Sequence, residues 1–230
     1  MKPGSDDAPR SGRPPSERAC EVEPRILDAA ARVFLERGFD GASIELIAET
    51  ARAGKPTIYA RYRDKAALFE AAFLRRLAAR NERLETHRPQ GDTVEARLTS
   101  IGVALALESL TEDFIGLMRL AIAQSRRMPE MGESLMGQTR ERGGRLVARL
   151  LREEICAPGW TEARALKAGR IFAEVVLLPF LLRALSTRDL SGLRAEVEPH
   201  VADRVGFFLA GLRNGGLTAP QRAGRQSHSA

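Results

Sequence analysis

Apolar residues return every three or four positions along most of this chain, the spacing that gathers them on one face of a helix. No sustained apolar–polar alternation marks a strand, and β-branched runs are few. The periodicity predicts about nine helices, over roughly 24–37, 43–51, 55–62, 64–85, 93–109, 111–126, 129–156, 161–185 and 191–213. In the first, Ile26, Leu27, Ala30, Val33 and Phe34 form the apolar stripe, and Gly38 is placed to end it as a residue able to adopt positive φ. Ser43 reads as the N-cap of the second, whose Ile44, Ile47, Ala48 and Ala51 share a face. A break at Arg52-Ala53-Gly54 leads to the third, where Pro56 suits a first turn whose backbone N–H groups have no intrahelical partner. Asp64 is placed to cap the long fourth helix, which runs through Leu68, Phe69, Phe73 and Leu77. Thr111 and Thr161 precede acidic residues, a cap followed by charges that suit the helix dipole. Trp160 stands just before Thr161, where it can staple onto the first turn. Residues 1–20 and 215–230 are rich in Pro, Gly, Ser and charge, and are expected to form disordered tails.

Composition removes several function classes. The chain has 230 residues, 43% hydrophobic, enough core for one or two domains. Cys20 and Cys156 form neither a disulfide framework nor a zinc-finger spacing, and Cys156 reads as an inert thiol. His87, His200 and His228 lie far apart, so no metal site is expected. The longest apolar stretch, Val175 to Leu182, is too short to span a membrane, is interrupted by Pro179 and is bracketed by Glu174 and Arg183. The N-terminus lacks the apolar core of a secretory signal, so a soluble cytoplasmic protein is expected, with no membrane partner. No nucleophile–base pair stands out, and Gly143-Gly144 lacks the Lys-Ser/Thr of a phosphate loop. The chain is therefore not expected to be an enzyme: no catalytic residue and no cofactor are assigned.

Charge becomes informative once it is located. The formal net charge is +6, yet residues 52–65 alone carry +4, with Arg52, Lys55, Arg61, Arg63 and Lys65 set against Asp64. The last 27 residues hold four arginines and no acid, which leaves the remaining 189 at −2. Both tyrosines of the chain, Tyr59 and Tyr62, fall in the basic segment. Residues 43–62 thus read as two short helices joined by a tight turn, a helix-turn-helix. A short second helix can present its N-terminal residues to base edges in a major groove about 12 Å wide. Spacing and charge alone leave DNA binding level with an ordinary basic helical surface.

The residue pattern tips that balance. From Arg25-Ile-Leu-Asp-Ala-Ala through Phe34, Arg37-Gly38-Phe39, Ser43-Ile44, Ile47-Ala48-Glu49, Lys55, Thr57-Ile58-Tyr59, Tyr62 and Lys65 to Leu68-Phe69, about 50 residues resemble the TetR/AcrR family of bacterial transcriptional regulators. The resemblance implies an all-α chain, with a three-helix DNA-binding unit followed by a divergent helical domain that dimerises and takes a small effector. It places Arg25 where the first helix approaches the DNA backbone, and Ser43 at the residue that opens the second helix and bonds a phosphate. It puts Lys55 and Thr57 at the start of the reading helix, and makes Tyr59 and Lys65 phosphate anchors. Arg61 would reach a phosphate or a guanine. Arg52, Gly54 and Pro56 complete the DNA-binding set but depart from the family. Arg52 stands where glycine is common and would cost on the order of 1 kcal/mol at positive φ. Gly54 lacks a capping side chain, and Pro56 lacks an N–H that could meet a phosphate. Ile58 and Tyr62 read as core, and Arg63 faces either solvent or phosphate.

Phe114 to Met131 resembles the C-terminal domain of an AefR-like branch. There the last two long helices pair with those of a second subunit. Candidates for that face are Val175, Val176, Leu178, Phe180 and Leu181, with Val205, Phe208 and Leu212; Phe207 lies among the second set. Helices apolar on more than one face need burial from more than one side, which a dimer or the chain's own core can supply. Phe114, Leu117, Met118, Met131, Met136 and Phe172 are the candidates for an apolar effector cavity, or else plain core.

The resulting expectation has four parts: a tail over 1–20, a DNA-binding domain over 21–82 with its motif at 43–62, an effector-binding and dimerisation domain over 83–214, and a basic tail over 215–230. The partners expected are a double-stranded DNA operator, a second copy of the chain and a small hydrophobic effector that releases the repressor. The competing expectation is a small-molecule sensor that acts through a protein partner and carries a degenerate reading head.

Overall fold

The computed structural model describes residues 15–154 and 160–213. Cys156, residues 1–14 and the expected basic tail lie outside them. Ten helices and no strand occur among the described residues: α1 (Pro15–Gly41), α2 (Ile44–Ala51), α3 (Lys55–Tyr59), α4 (Lys65–Thr86), α5 (Val94–Ser109), α6 (Glu112–Gln124), α7 (Pro129–Glu154), α8 (Glu162–Ser186), α9 (Ser191–Ala195) and α10 (Val197–Arg213). They form two compact units divided between Arg75 and Arg76, inside α4 rather than at the expected 82–83 boundary. A boundary inside one unbroken helix leaves no shift in composition to read.

Two predicted helices need correction. The first begins at Pro15, not near Pro24, so residues 15–20 of the expected tail are helical. Pro24 sits inside α1, where it removes one ladder hydrogen bond. The predicted 191–213 helix is two helices, α9 and α10. Pro199 explains the break: it has no N–H for the carbonyl four residues earlier, and its ring crowds Ala195, where α9 ends.

In the first unit the predicted stripe is the core. Ile26, Ala30, Val33 and Phe34 of α1 are buried with Ile44 and Ile47 of α2, Ile58 of α3, and Leu68 and Phe69 of α4. Phe34, Phe39 and Phe69 pack as a trio, Phe69 edge-on to both others at 5.1 and 5.7 Å. Asp28 of α1 receives both Nε and Nη2 of Arg75 on α4, each at 3.0 Å. The α1 helix turns at Gly38, whose φ of 73° and ψ of 173° belong to a region open essentially to glycine alone. Nothing lies within 4 Å of where a Cβ would stand there, so the requirement is purely one of backbone.

In the second unit α7 and α8 share the most extensive contact, and α5 packs on α10 and α8. Phe172 of α8 meets Phe208 of α10 edge-on at 5.1 Å, in a core that includes Leu98, Leu105, Val176, Val201 and Val205. Of the Gly143-Gly144 pair, unexplained by any loop chemistry, Gly144 is a packing device. A Cβ on Gly169 of α8 would stand 2.2 Å from the Gly144 carbonyl oxygen, so the two backbones touch at that crossing. Helix ends are satisfied as predicted: Thr111 and Thr161 accept from the N–H groups of Phe114 and Arg164. Arg119 donates to the carbonyls of Ala184, Leu185 and Thr187, where α8 ends. Trp160 packs under the Arg164 guanidinium, 5.2 Å from its ring centre.

Candidate nucleic-acid interface and effector groove

The Ser43 hydroxyl accepts the Leu46 N–H at 3.1 Å and opens α2. The α2 helix ends at Arg52 in the left-handed conformation, φ 49° and ψ 47°, the one positive φ outside glycine among the described residues. The Ala53 N–H reaches back to the Ala48 carbonyl at 2.9 Å, a C-terminal lock that needs such a residue. The turn therefore has the geometry that the family's glycine would serve, and Arg52 holds it at the cost of some strain. Arg25 donates to the Arg52 carbonyl at 3.3 Å, tying α1 to this turn.

From there α3 emerges with Gly54 as an N-cap that supplies no side-chain acceptor and Pro56 in the first turn. Ile58 is fully buried, so the helix is anchored on one side only. Lys55, Pro56 and Tyr59 lie on the exposed side, Tyr59 at 54% exposure. Thr57 is half-buried. Lys55 pairs with Glu45 of α2 at 3.0 Å, and the ammonium holds that carboxyl below its usual range. Arg61 donates to the Thr57 carbonyl at 3.0 Å, which folds it back along α3. Tyr62 is buried and donates to Glu23 at 3.0 Å; burial first, then that bond, pushes its phenol up to about 12.

Lys65 is more than a free surface cation. Its ammonium donates to the carbonyls of Asp40 and Ala42 at 3.3 and 3.0 Å and lies 4.8 Å from the Phe39 ring centre. It clamps the α1–α2 connection just ahead of Ser43. Sequence reasoning missed this role, because only the fold brings residue 65 to residues 39–42.

In the second unit the candidate residues separate. Phe114, Leu117, Met131 and Phe172 are buried core and do not line the groove between α6, α7 and α8, so the cavity expected from all six residues is not that groove. Met118 and Met136 do line one, a groove of about 390 Å³ between α6, α7 and α8 with an almost wholly apolar wall. Leu178 and Leu181, expected at the dimer face, line it too, and its wall also includes Ile122, Gly143, Leu177, Leu182 and Leu185, which were absent from the candidate set. The supposed dimer positions Val176, Phe180, Val205 and Phe208 are likewise buried within their own chain and have no surface left for a partner. Val175, Leu181 and Leu212 are half-buried. The large apolar side chains open to solvent on α8 and α10 are Leu178, Leu182 and Phe207, at 53%, 59% and 72% exposure.

One further residue escaped the sequence reading. Arg80 of α4 is 3% exposed, the one charged side chain so deeply buried among the described residues. Its Nη2 donates to the Ser109 hydroxyl at 2.7 Å, and the guanidinium lies 4.9 Å from the Phe114 ring centre. Nε and Nη1 have no partner. Burial pushes its pKa down to about 10, against the attraction of Glu108, so it is still a cation at neutral pH. Glu108 itself is bound by Arg83 at 2.7 Å.

Comparison with known proteins agrees with this geometry. Residues 26–72 match the family described as bacterial regulatory proteins, tetR family, and residues 96–212 match the C-terminal domain of AefR-like transcriptional repressors. The second match alone covers half of the chain. A Bacillus subtilis HTH-type transcriptional regulator, YdeS, is 40% identical over 65 residues, 28% of this chain and 31% of that protein. The chain thus matches about a third of that relative's length. A solved structure from Mesorhizobium loti, assigned to the TetR-family regulators, aligns with a TM-score of 0.71 at 28% identity over 84% of this chain and 97% of the other. A tetR-family regulator from Streptomyces coelicolor aligns at 0.62 and 20% identity, covering 86% and 85%. No helix among the described residues is long and apolar enough to cross a membrane.

Proposed function

The chain belongs to the TetR family of bacterial regulatory proteins, and on that premise we propose that it is a homodimeric, sequence-specific DNA-binding repressor released by a small molecule held in its second unit. The observation that carries the DNA part is the face of α3. It is pinned by one buried residue, Ile58, and turns Lys55, Pro56 and Tyr59 outward beside Ser43 and Arg52. Lys55 and Thr57 read base edges, while Ser43, Tyr59 and Arg61 bond phosphates that set the helix in register. Arg25 and Lys65 act through the turns they hold as well as through their charge. Gly54 and Pro56 leave room for close approach but offer no capping side chain and one N–H fewer.

Dimerisation is supported by Phe207, 72% exposed on α10, which leaves apolar surface that a second copy would cover. Two heads must then stand about 34–36 Å apart to enter successive major grooves. A ligand that favours another spacing weakens DNA binding by its preference for that state.

Titration of fluorescent DNA from the region upstream of the gene, against a shuffled sequence of equal length, tests the reading. The expected result is a clear preference for the upstream DNA, with affinity falling steeply as salt rises. Equal affinity for both at moderate salt would remove sequence-specific repression.

A further inference from the structure

A buried cation without a counter-charge is costly to keep, because leaving water is not repaid by an opposing carboxylate. Arg80 is in that position, with two of its three nitrogens lacking any partner. The nearest acid that acts on it, Glu108, is already held by Arg83 through both Nε and Nη2. The Ser109 hydroxyl accepts from Nη2 alone and sends its own proton to the Leu105 carbonyl at 2.6 Å, and it bonds neither Nε nor Nη1.

The place of Arg80 relates it to the groove. It lies over Phe114, and Met118, one helical turn further along α6, lines the groove. That is about 6 Å of helix. Beyond Met118 the wall is Ile122, Met136, Leu177 and Leu182, without a cation except Arg140, which pairs with Glu174. At about 390 Å³ the groove has the size of a small-molecule site. Met118 is a flexible side chain suited to yield between the two.

We propose that the effector is an amphiphilic monoanion, an apolar chain or ring bearing one carboxylate, with its body in the α6–α7–α8 groove and its carboxylate on Arg80. This rests on the reading that the second unit takes an effector, and it replaces a purely apolar ligand by one with a charged end. The carboxylate supplies the missing acceptors for Nε or Nη1, in a site dry enough to make a charge-assisted bond strong. A neutral ligand of the same body would leave Arg80 as it is.

Calorimetric titration of the full chain without DNA, using decanoate and decanol as probes, tests this. Decanoate is expected to bind saturably and at least about tenfold more tightly than decanol. Arg80→Met should bring the two within about twofold of one another while leaving the thermal midpoint of the free protein unchanged or raised, because it removes an uncompensated charge. Ile122→Glu, at the exposed edge of the groove, should weaken decanoate without loss of fold. Equal binding of the two probes by the wild-type chain overturns the carboxylate assignment, even if Arg80→Met fails to fold, and leaves the effector reading standing. Binding of neither probe overturns the proposal. So does a marked fall in the midpoint of Arg80→Met, which would make Arg80 a structural strut. Dissociation of the dimer by Ile122→Glu would assign the groove to a second copy and overturn it as well. Loss of operator preference in the DNA titration, with decanoate binding intact, would count against the repressor reading alone.

Discussion

The two units place their polar chemistry in opposite ways. In the first, Lys55, Tyr59 and Arg61 stand at the surface, and Lys65 and Arg25 donate to backbone carbonyls of nearby turns. In the second, several charges pair with one another, as Arg83 does with Glu108, while Arg80 sits inside with nitrogens unmatched. A surface that meets a long polyanion can remain solvated until it binds. A site for a small molecule must exclude water beforehand, and it reveals itself by an imbalance left in the interior.

Several substitutions probe that contrast. The largest effect is expected from Phe34→Ala, which empties the aromatic trio and should cost about 3–5 kcal/mol. Denaturant unfolding reads the loss. Operator binding should vanish while decanoate binding persists; loss of both together would mean that the two regions do not stand independently. Next, Phe207→Glu should shift the dimer–monomer equilibrium by roughly a hundredfold, seen by sedimentation, as a charge on an apolar contact is strongly penalised. An unchanged dimer would place the contact elsewhere. Gly38→Ala should lower stability by about 2 kcal/mol, from backbone strain alone. Ser43→Ala should cost about 1 kcal/mol of stability, and so should Thr111→Ala, but only the former should also weaken DNA binding. The smallest effect is on pH dependence. Tyr62 keeps its proton up to about 12 in the fold, whereas a free phenol ionises near 10. The first unit should lose stability as pH climbs through that interval, because the unfolded chain releases the proton first. Tyr62→Phe should flatten that part of the stability curve.

How far the sequence foretold all this depends on how local each feature is. Ser43, Gly38, Asp64 and Thr161 act on backbone within a few residues, and each does what its spacing predicts. Arg52 could be read as strained because the turn it ends is local too. The break before α10 is equally local, since it follows from Pro199. In α8 apolar residues surround the helix, so periodicity names no face. Leu178 and Phe180 look alike in sequence, yet one is 53% and the other 2% exposed. Arg80 is one arginine among several on α4; only its neighbours from α5 and α6 make it a buried ion. The groove is equally non-local, built from three helices that meet far apart in the chain.

The adjacent glycines of α7 have unequal freedom. Gly144 is bolted to Gly169 backbone against backbone, and a side chain on either has nowhere to go. Gly143 faces the groove, where an added Cβ would make ordinary contact with Ala173 at 3.6 Å. The pivot of the domain and the dial for its capacity are thus neighbours in sequence but separate in consequence. One methyl group at 143 narrows what the groove can hold, and the frame that positions α7 on α8 stays as it was. If the groove takes an effector as proposed, its selectivity is open to change by one substitution, at a place where the architecture does not resist it.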